Sequence, residues 1–184
     1  MKNLIEIKRQ RGLTILELMT TITLLAIVSA VALPSFRDTL AGGRQKAQRN
    51  NMMSALQMAR SEAVKRGIRT VICASSNGTS CNTSSNWDAG WIIFVDEDAN
   101  DTKDTADTYL QIGAEMDTGF SLIGSTNVVN MIRYDPNGDS LESGTLTLCD
   151  PRGVDKAVGI IITASGRPKV SDTGAGGASL VCPA

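Results

Sequence analysis

The chain contains no histidine. That absence removes Ser–His and Cys–His nucleophilic catalysis and the commonest zinc ligand. Aromatic residues make up only 4% of the sequence, too few for a surface that stacks successive bases. The 4 cysteines stand at 73, 81, 149 and 182, so no C-x-x-C pair of a zinc ribbon or thioredoxin-type motif is present. Charge of one sign is also lacking: 18 Lys and Arg face 19 Asp and Glu over 184 residues. Four of the basic residues (Lys2, Lys8, Arg9, Arg11) sit at the extreme N-terminus, and beyond them acids prevail. Any nucleic-acid contact is therefore confined to a local patch. There is no nucleophile beside a base, no phosphate-binding glycine loop and no carboxylate pair with an evident acid–base role, so the residues point away from an enzyme.

What is present begins at the N-terminus. RGLTILELMTTITLLAIVSAVALPSF, residues 11–36, carries one charge after Arg11, at Glu17. Roughly 20 helical residues cross a bilayer core, so this run is long enough to span. The basic residues before it place the N-terminus in the cytoplasm and the remainder outside. A secretory signal peptide would share the basic start and could end at SAVALPSF. It would gain nothing from a carboxylate near the start of its apolar run. Pro34 lacks an N–H and predicts a kink in the helix, and Gly42-Gly43 forms a second soft point.

Further on, Met52, Ala55, Leu56, Ala59 and Ala63 recur at helical spacing and form one apolar face, with Gly67 as the stop. After Gly67 the period changes. RTVICAS, WIIFVD, TYLQI, MIRY, TLTLC and VGIIITA read as strands, separated by turn-forming NGTS, DANDTKD, DPNGD and PRG. One long helix followed by six or more short strands predicts an α+β fold in which the helix packs on an antiparallel sheet or sandwich.

The N-terminal residues resemble a type IV pilin-like precursor: a short basic leader ending in Gly12, then Leu13, Thr14, Glu17 fifth from the cut, and Pro34. Leu13 stands where Phe is usual in that family. The resemblance implies cleavage between Gly12 and Leu13 by a prepilin peptidase, N-methylation of Leu13, and an assembly role for Glu17. A carboxylate inside a bilayer costs about 2.5–3.5 kcal/mol. In the family it is offset by the free amine of a neighbouring subunit's first residue. VICASSNGTSCNTSSNWDAGWIIFVDEDAN, TLTLCDPRG and IITASGRPKV narrow the resemblance to the GspH/FimT family of minor pilins and pseudopilins. The implied organisation is a leader at 1–12, a membrane half of the helix at 13–39, an amphipathic half at 40–67, and a β-rich head at 68–184. The implied role is a minor pilin at or near a pilus tip. The alternative is a GspH-like pseudopilin of type II secretion. Implied partners are other minor and major pilins or pseudopilins, the peptidase, and the inner-membrane assembly platform. The implied location is the bacterial inner membrane in a single pass with a periplasmic head, and then the pilus or pseudopilus.

Three head features carry candidate chemistry. An exported head favours disulfides, and the pairing Cys73–Cys81 with Cys149–Cys182 closes a small loop and ties the C-terminal tail to a strand. Two crossed pairings remain open. GRPK places Arg167 and Lys169 where FimT proteins of natural transformation carry a G-R-x-R tip, implying DNA contact, with Arg152 and Lys156 as a possible extension. Its plainer reading is a solvated hairpin turn. Lys169 keeps a point charge for phosphate but loses the bidentate fork of Arg. DEDANDTKDTAD, 96–107, sets Asp96, Asp98 and Asn100 at the first three ligand positions of a calcium loop, with Asp104 and Asp107 at the ninth and twelfth. Asp101 replaces the glycine such loops need at the sixth position, which argues for a solvated loop. No other cofactor is indicated.

Overall fold

The computed structural model describes Gly12, residues 14–84 and residues 87–183. Leu13 and the leader before Gly12 lie outside the described residues. Helix α1 runs Ile15–Arg66 and passes through Pro34 and Gly42-Gly43 as one element. The chain divides into two compact units at Leu40.

In the first unit the apolar side chains have no core to enter. Ile15 is 80% exposed, Leu16 71% and Phe36 61%. The threonines of this stretch satisfy themselves locally: Thr20, Thr21 and Thr23 hydroxyls donate to the carbonyls of Glu17, Leu18 and Met19. Such back-bonding lets a hydroxyl sit on an apolar helix without an unpaired donor.

In the second unit α1 buries Met52, Ala55, Leu56, Ala59 and Ala63. The helix stops at Gly67, whose φ of +67° suits a residue without Cβ and whose N–H donates to the Ala63 carbonyl at 2.9 Å. Eight strands follow: β1 Thr70–Ala74, β2 Trp91–Val95, β3 Thr108–Gly113, β4 Ser121–Gly124, β5 Met131–Tyr134, β6 Gly144–Cys149, β7 Val158–Ile162 and β8 Pro168–Ser171. They form two antiparallel sheets in the orders β3-β2-β1-β5 and β4-β6-β7-β8. The helix face, Ile72, Ile93 and Ile132 of the first sheet, and Leu146, Leu148 and Ile160 of the second share one core. Trp87 anchors its edge by donating its indole N–H to the carbonyls of Val128 and Val129.

The alternation along β1 and β2 sends Val71, Cys73, Ile92 and Phe94 to the opposite face, where they form a smaller cluster with Cys81 and Met131. Both faces of these strands are therefore covered, which is why all five residues of each are buried. Two buried hydroxyls, Thr70 and Tyr134, are cross-strand neighbours without a hydrogen-bond partner. Burial pushes the Tyr134 phenol well above its ordinary range.

The four sheet edges are each interrupted. β3 carries a register shift opposite Ile93 and Phe94. β5 is met by the next segment, through the Tyr134–Ser140 bridge and the Leu141 N–H to the Arg133 carbonyl. β8 begins at Pro168 and presents Lys169, and β4 has only four residues.

The helix face is the wall on which both sheets close. Leu56→Ala should lower the unfolding free energy by about 2–5 kcal/mol. Ser54→Ala on the exposed side should change it by less than about 0.5 kcal/mol. Denaturant unfolding followed by the fluorescence of buried Trp87 and Trp91 measures both.

Candidate functional site

Glu17 lies in the first turn of α1 and is exposed, with no opposite charge from its own chain beside it among the described residues. Its backbone N–H is accepted by the Thr14 hydroxyl at 3.2 Å, so Thr14 caps the helix start. The carboxylate is thus held on a helix flanked by exposed Ile15, Leu16, Leu18 and Met19.

At the other end of α1 three segments meet. Arg60 donates its Nε–H to the Gly138 carbonyl at 2.8 Å. The Ser140 N–H donates to the Ala164 carbonyl at 2.9 Å. Gly166, at φ +70°, lies so close to Gly138 that a Cβ would sit 2.0 Å from its carbonyl oxygen. The hairpin turn proper is therefore 163–166, closed by the Gly166 N–H on the Thr163 carbonyl, and not GRPK itself. Arg167 follows the turn and Lys169 lies within β8 opposite Ile161. They stand two residues apart, and both are exposed. Asp135 and Asp139 of the neighbouring turn reduce the positive charge of this end. The Asp135 carboxylate itself caps the N–H groups of Asn137 and Asp139.

Arg152 and Lys156 do not extend this patch. They precede β7, whereas the 163–166 turn follows it, a separation of about 16 Å at the usual strand rise. Arg152 instead donates from Nε and Nη2 to the fully buried carboxylate of Asp150, which also accepts its backbone N–H, and donates to Gln45 Oε1 at 3.1 Å. Gln45 in turn donates to the Lys156 carbonyl at 2.7 Å. The guanidinium lies over Gly42, 3.2 Å from where a Cβ would stand. Sequence reasoning missed this cluster because Asp150 and Arg152 read as ordinary turn residues, and Gln45 lies more than a hundred positions away.

The acidic loop brings carboxylate oxygens of Asp96, Asp98 and Asp107 within 4.8 Å of one another. Asp101, in the place of the expected glycine, nonetheless adopts φ +63°. The oxygens are already engaged: Asp96 accepts from the N–H groups of Asn100 and Asp101, and Asp107 from those of Glu97 and Asp104. Asn100 turns its amide NH2 toward Asp98 and Asp104, and its oxygen accepts from the Thr102 N–H. Arg69 stands 3.7 Å from Asp96 and bridges to Asp101, which also pairs with Arg133. Burial raises the Asp96 carboxyl above its ordinary value, against the lowering by those two N–H groups. The loop closes on its own donors, and its acids alone carry no metal assignment.

Cys73 is bonded to Cys81, and Cys149 to Cys182. The first bridge joins the end of β1 to the 75–81 loop, and the second joins β6 to the segment beyond β8.

Comparison with known proteins agrees with this architecture. A family model described as Type II transport protein GspH matches residues 48–166. A prokaryotic N-terminal methylation motif matches residues 7–33. Among curated proteins no sequence relative matches the chain. Crystal structures of the type IV minor pilin FimU from Pseudomonas aeruginosa are similar in fold at 18% identity. One form covers 73% of this chain and 90% of that chain with a TM-score of 0.56. A second form covers 68% and 91% with a TM-score of 0.52. At that identity the likeness speaks to fold: one long helix and two antiparallel sheets.

Removing the cation from the Asp150–Arg152 pair strands a buried carboxylate. Arg152→Ala should cost about 3 kcal/mol of head stability. Adding Asp150→Asn should recover part of that loss, because the stranded charge goes with it. A double-mutant cycle by denaturant unfolding measures the coupling.

Proposed function

The chain belongs to the GspH family, and on that premise we propose that it is a minor pilin of a type IV pilus. It is cut by a prepilin peptidase after Gly12, methylated on Leu13, held in the bacterial inner membrane, and then built in at or near the filament tip, where it helps to start assembly. The observation that carries this reading is the contrast along α1. The 15–40 stretch leaves its large apolar side chains bare and carries Glu17, while the later part is sealed into the head. Bare leucines and isoleucines at that density need lipid or neighbouring helices. Glu17 needs a cation, and the amine that cleavage creates on the neighbouring subunit supplies one. Lys2, Lys8, Arg9 and Arg11 favour a cytoplasmic N-terminus and a periplasmic head. The partners are other pilins and the inner-membrane assembly platform.

A second reading, a minor pseudopilin of type II secretion, is favoured by the description of the matching family model. Loss of twitching on deletion supports the pilus reading, and loss of exoprotein release supports secretion. DNA contact at Arg167 and Lys169 is an added activity of the pilus reading. Both side chains are exposed, Arg167 just before β8 and Lys169 within it. With Asp135 and Asp139 close by, such contact is weak, independent of sequence and lost with salt.

Three measurements test these readings. Intact mass of the filament-associated chain should match a mature protein beginning at methylated Leu13. Glu17→Ala should still be cleaved but drop out of sheared filaments by at least about tenfold, the size expected where a charge pair worth roughly 1.4 kcal/mol or more is lost. Full-length protein in detergent should retain DNA at low salt and release it as salt rises. Arg167→Ala/Lys169→Ala should abolish retention, and retention unchanged by the double substitution would move the contact elsewhere.

A further inference from the structure

Two tight turns meet on one arginine of α1. Gly138 of the 135–139 turn and Gly166 of the 163–166 turn are both buried, at φ +83° and +70°. A Cβ on Gly166 would stand 3.0 Å from Arg60 Nε, and one on Gly138 would stand 3.4 Å from Arg60 Nε and Cζ. The guanidinium therefore lies against both glycines, where a side chain on either would crowd it. Its Nε–H is spent on the Gly138 carbonyl. Nη1 and Nη2 make no hydrogen bond and no ion pair among the described residues. Arg60 is half-buried, so solvent still reaches part of it.

The acids around it leave this charge standing. Glu62 on the same helix is taken by Lys65 and Arg66. Glu142 is taken by Arg133. Asp135 spends its carboxylate on N–H groups of its own turn. Tyr134, on whose phenol the Arg60 charge acts, is neutral. Asp139 is exposed and opposes the patch. On the other side of Gly166, Arg167 follows directly and Lys169 stands two residues beyond it, both exposed. Arg60 comes from α1 and the other two from the last hairpin, so folding brings three cations to one end of the head.

We propose, resting on the DNA reading of Arg167 and Lys169, that Arg60 is a third cation of that contact and supplies the bidentate grip on phosphate that Lys169 lacks. Its Nε–H holds the Gly138 carbonyl and so steadies the stacked turns from which Arg167 emerges. Its two Nη groups remain, and together they can donate two parallel N–H bonds to one phosphate. Arg60 is already seated on the two glycines, so it loses less side-chain freedom on binding than a cation on open chain. Phosphates alone are read, and the contact carries no sequence preference.

The test uses the full chain in detergent and a fluorescent DNA duplex of fixed length, with anisotropy followed through a salt series. Loss of one phosphate contact makes the slope of log affinity against log salt shallower by about 0.9. That shift is expected for Arg60→Gln. Arg60→Lys should bind more weakly than wild type yet keep its slope, because it keeps the charge and gives up only the fork. Should the glutamine variant fail to fold by tryptophan fluorescence, phenylglyoxal modification of the wild-type chain takes its place. DNA should then slow modification of Arg60 as it slows that of Arg167, and leave Arg44 unchanged. A wild-type slope in Arg60→Gln, the same shallower slope in both variants, or an Arg60 that DNA does not protect would each overturn the proposal. In those cases loss of binding in Arg167→Ala/Lys169→Ala would leave the DNA reading standing. A wild-type chain that retains no DNA at low salt would remove both.

Discussion

Both sheets close on one strip of helix, and the head depends on how narrow that strip is. Ala55, Ala59 and Ala63 bring little volume beside the larger Leu56 and Met52, and all five share one core with residues of both sheets. Burial of large residues alone would hold one sheet against a helix. The alternation of large and small lets one short stretch serve as the inner wall for Ile72 and Ile93 on one side and Leu146 and Ile160 on the other. The same helix, one unit earlier in sequence, has its large side chains bare. A single element thus changes environment along its length, from a stretch that seeks apolar company outside the chain to one that finds it within.

Charged groups in this head act mainly as internal fasteners. Asp150 and Arg152 tie the loop before β7 to Gln45 in the middle of α1. Arg60 ties the far end of the helix to the 135–139 turn. The acidic loop spends its carboxylates on its own N–H groups and on Arg69, and Arg133 joins Asp101 to Glu142 across the strand end. These contacts are partly buried, so removing one partner leaves a poorly solvated charge and costs more than breaking an exposed pair. The exposed charges left over, such as Arg167 and Lys169, are the ones available to something outside the chain.

The legible parts of the sequence were those with a period. Met52, Ala55, Leu56, Ala59 and Ala63 announce a helical face, and VICAS and WIIFV announce strands because they are buried on both sides and need no polar alternation. β4 gave no such signal: SLIG is four residues with one fully buried side chain. β8 was hidden by composition, because glycine, proline and two cations read as a turn, and only its pairing with β7 makes it a strand. Contacts between distant segments had no local signature at all. Arg152 read as an extension of the Lys169 patch, but β7 separates the two and Asp150 and Gln45 hold its guanidinium. The Asp101 backbone shows the converse. Aspartate tolerates the left-handed region better than most residues, and here Asp96 captures the Asp101 N–H and two arginines hold its carboxylate.

The interrupted sheet edges bear on crowding. Two heads held side by side at high local concentration face the hazard of any β protein, that one recruits the other's open strand and the pair grows into an aggregate. Here a proline and a lysine on β8, a register shift in β3, a covering segment on β5 and brevity in β4 each interrupt the row of backbone donors that an edge offers. Such heads can be packed densely and still remain separate bodies, so that whatever order they enter with neighbours is dictated by side chains and by the helix rather than by the generic stickiness of strands.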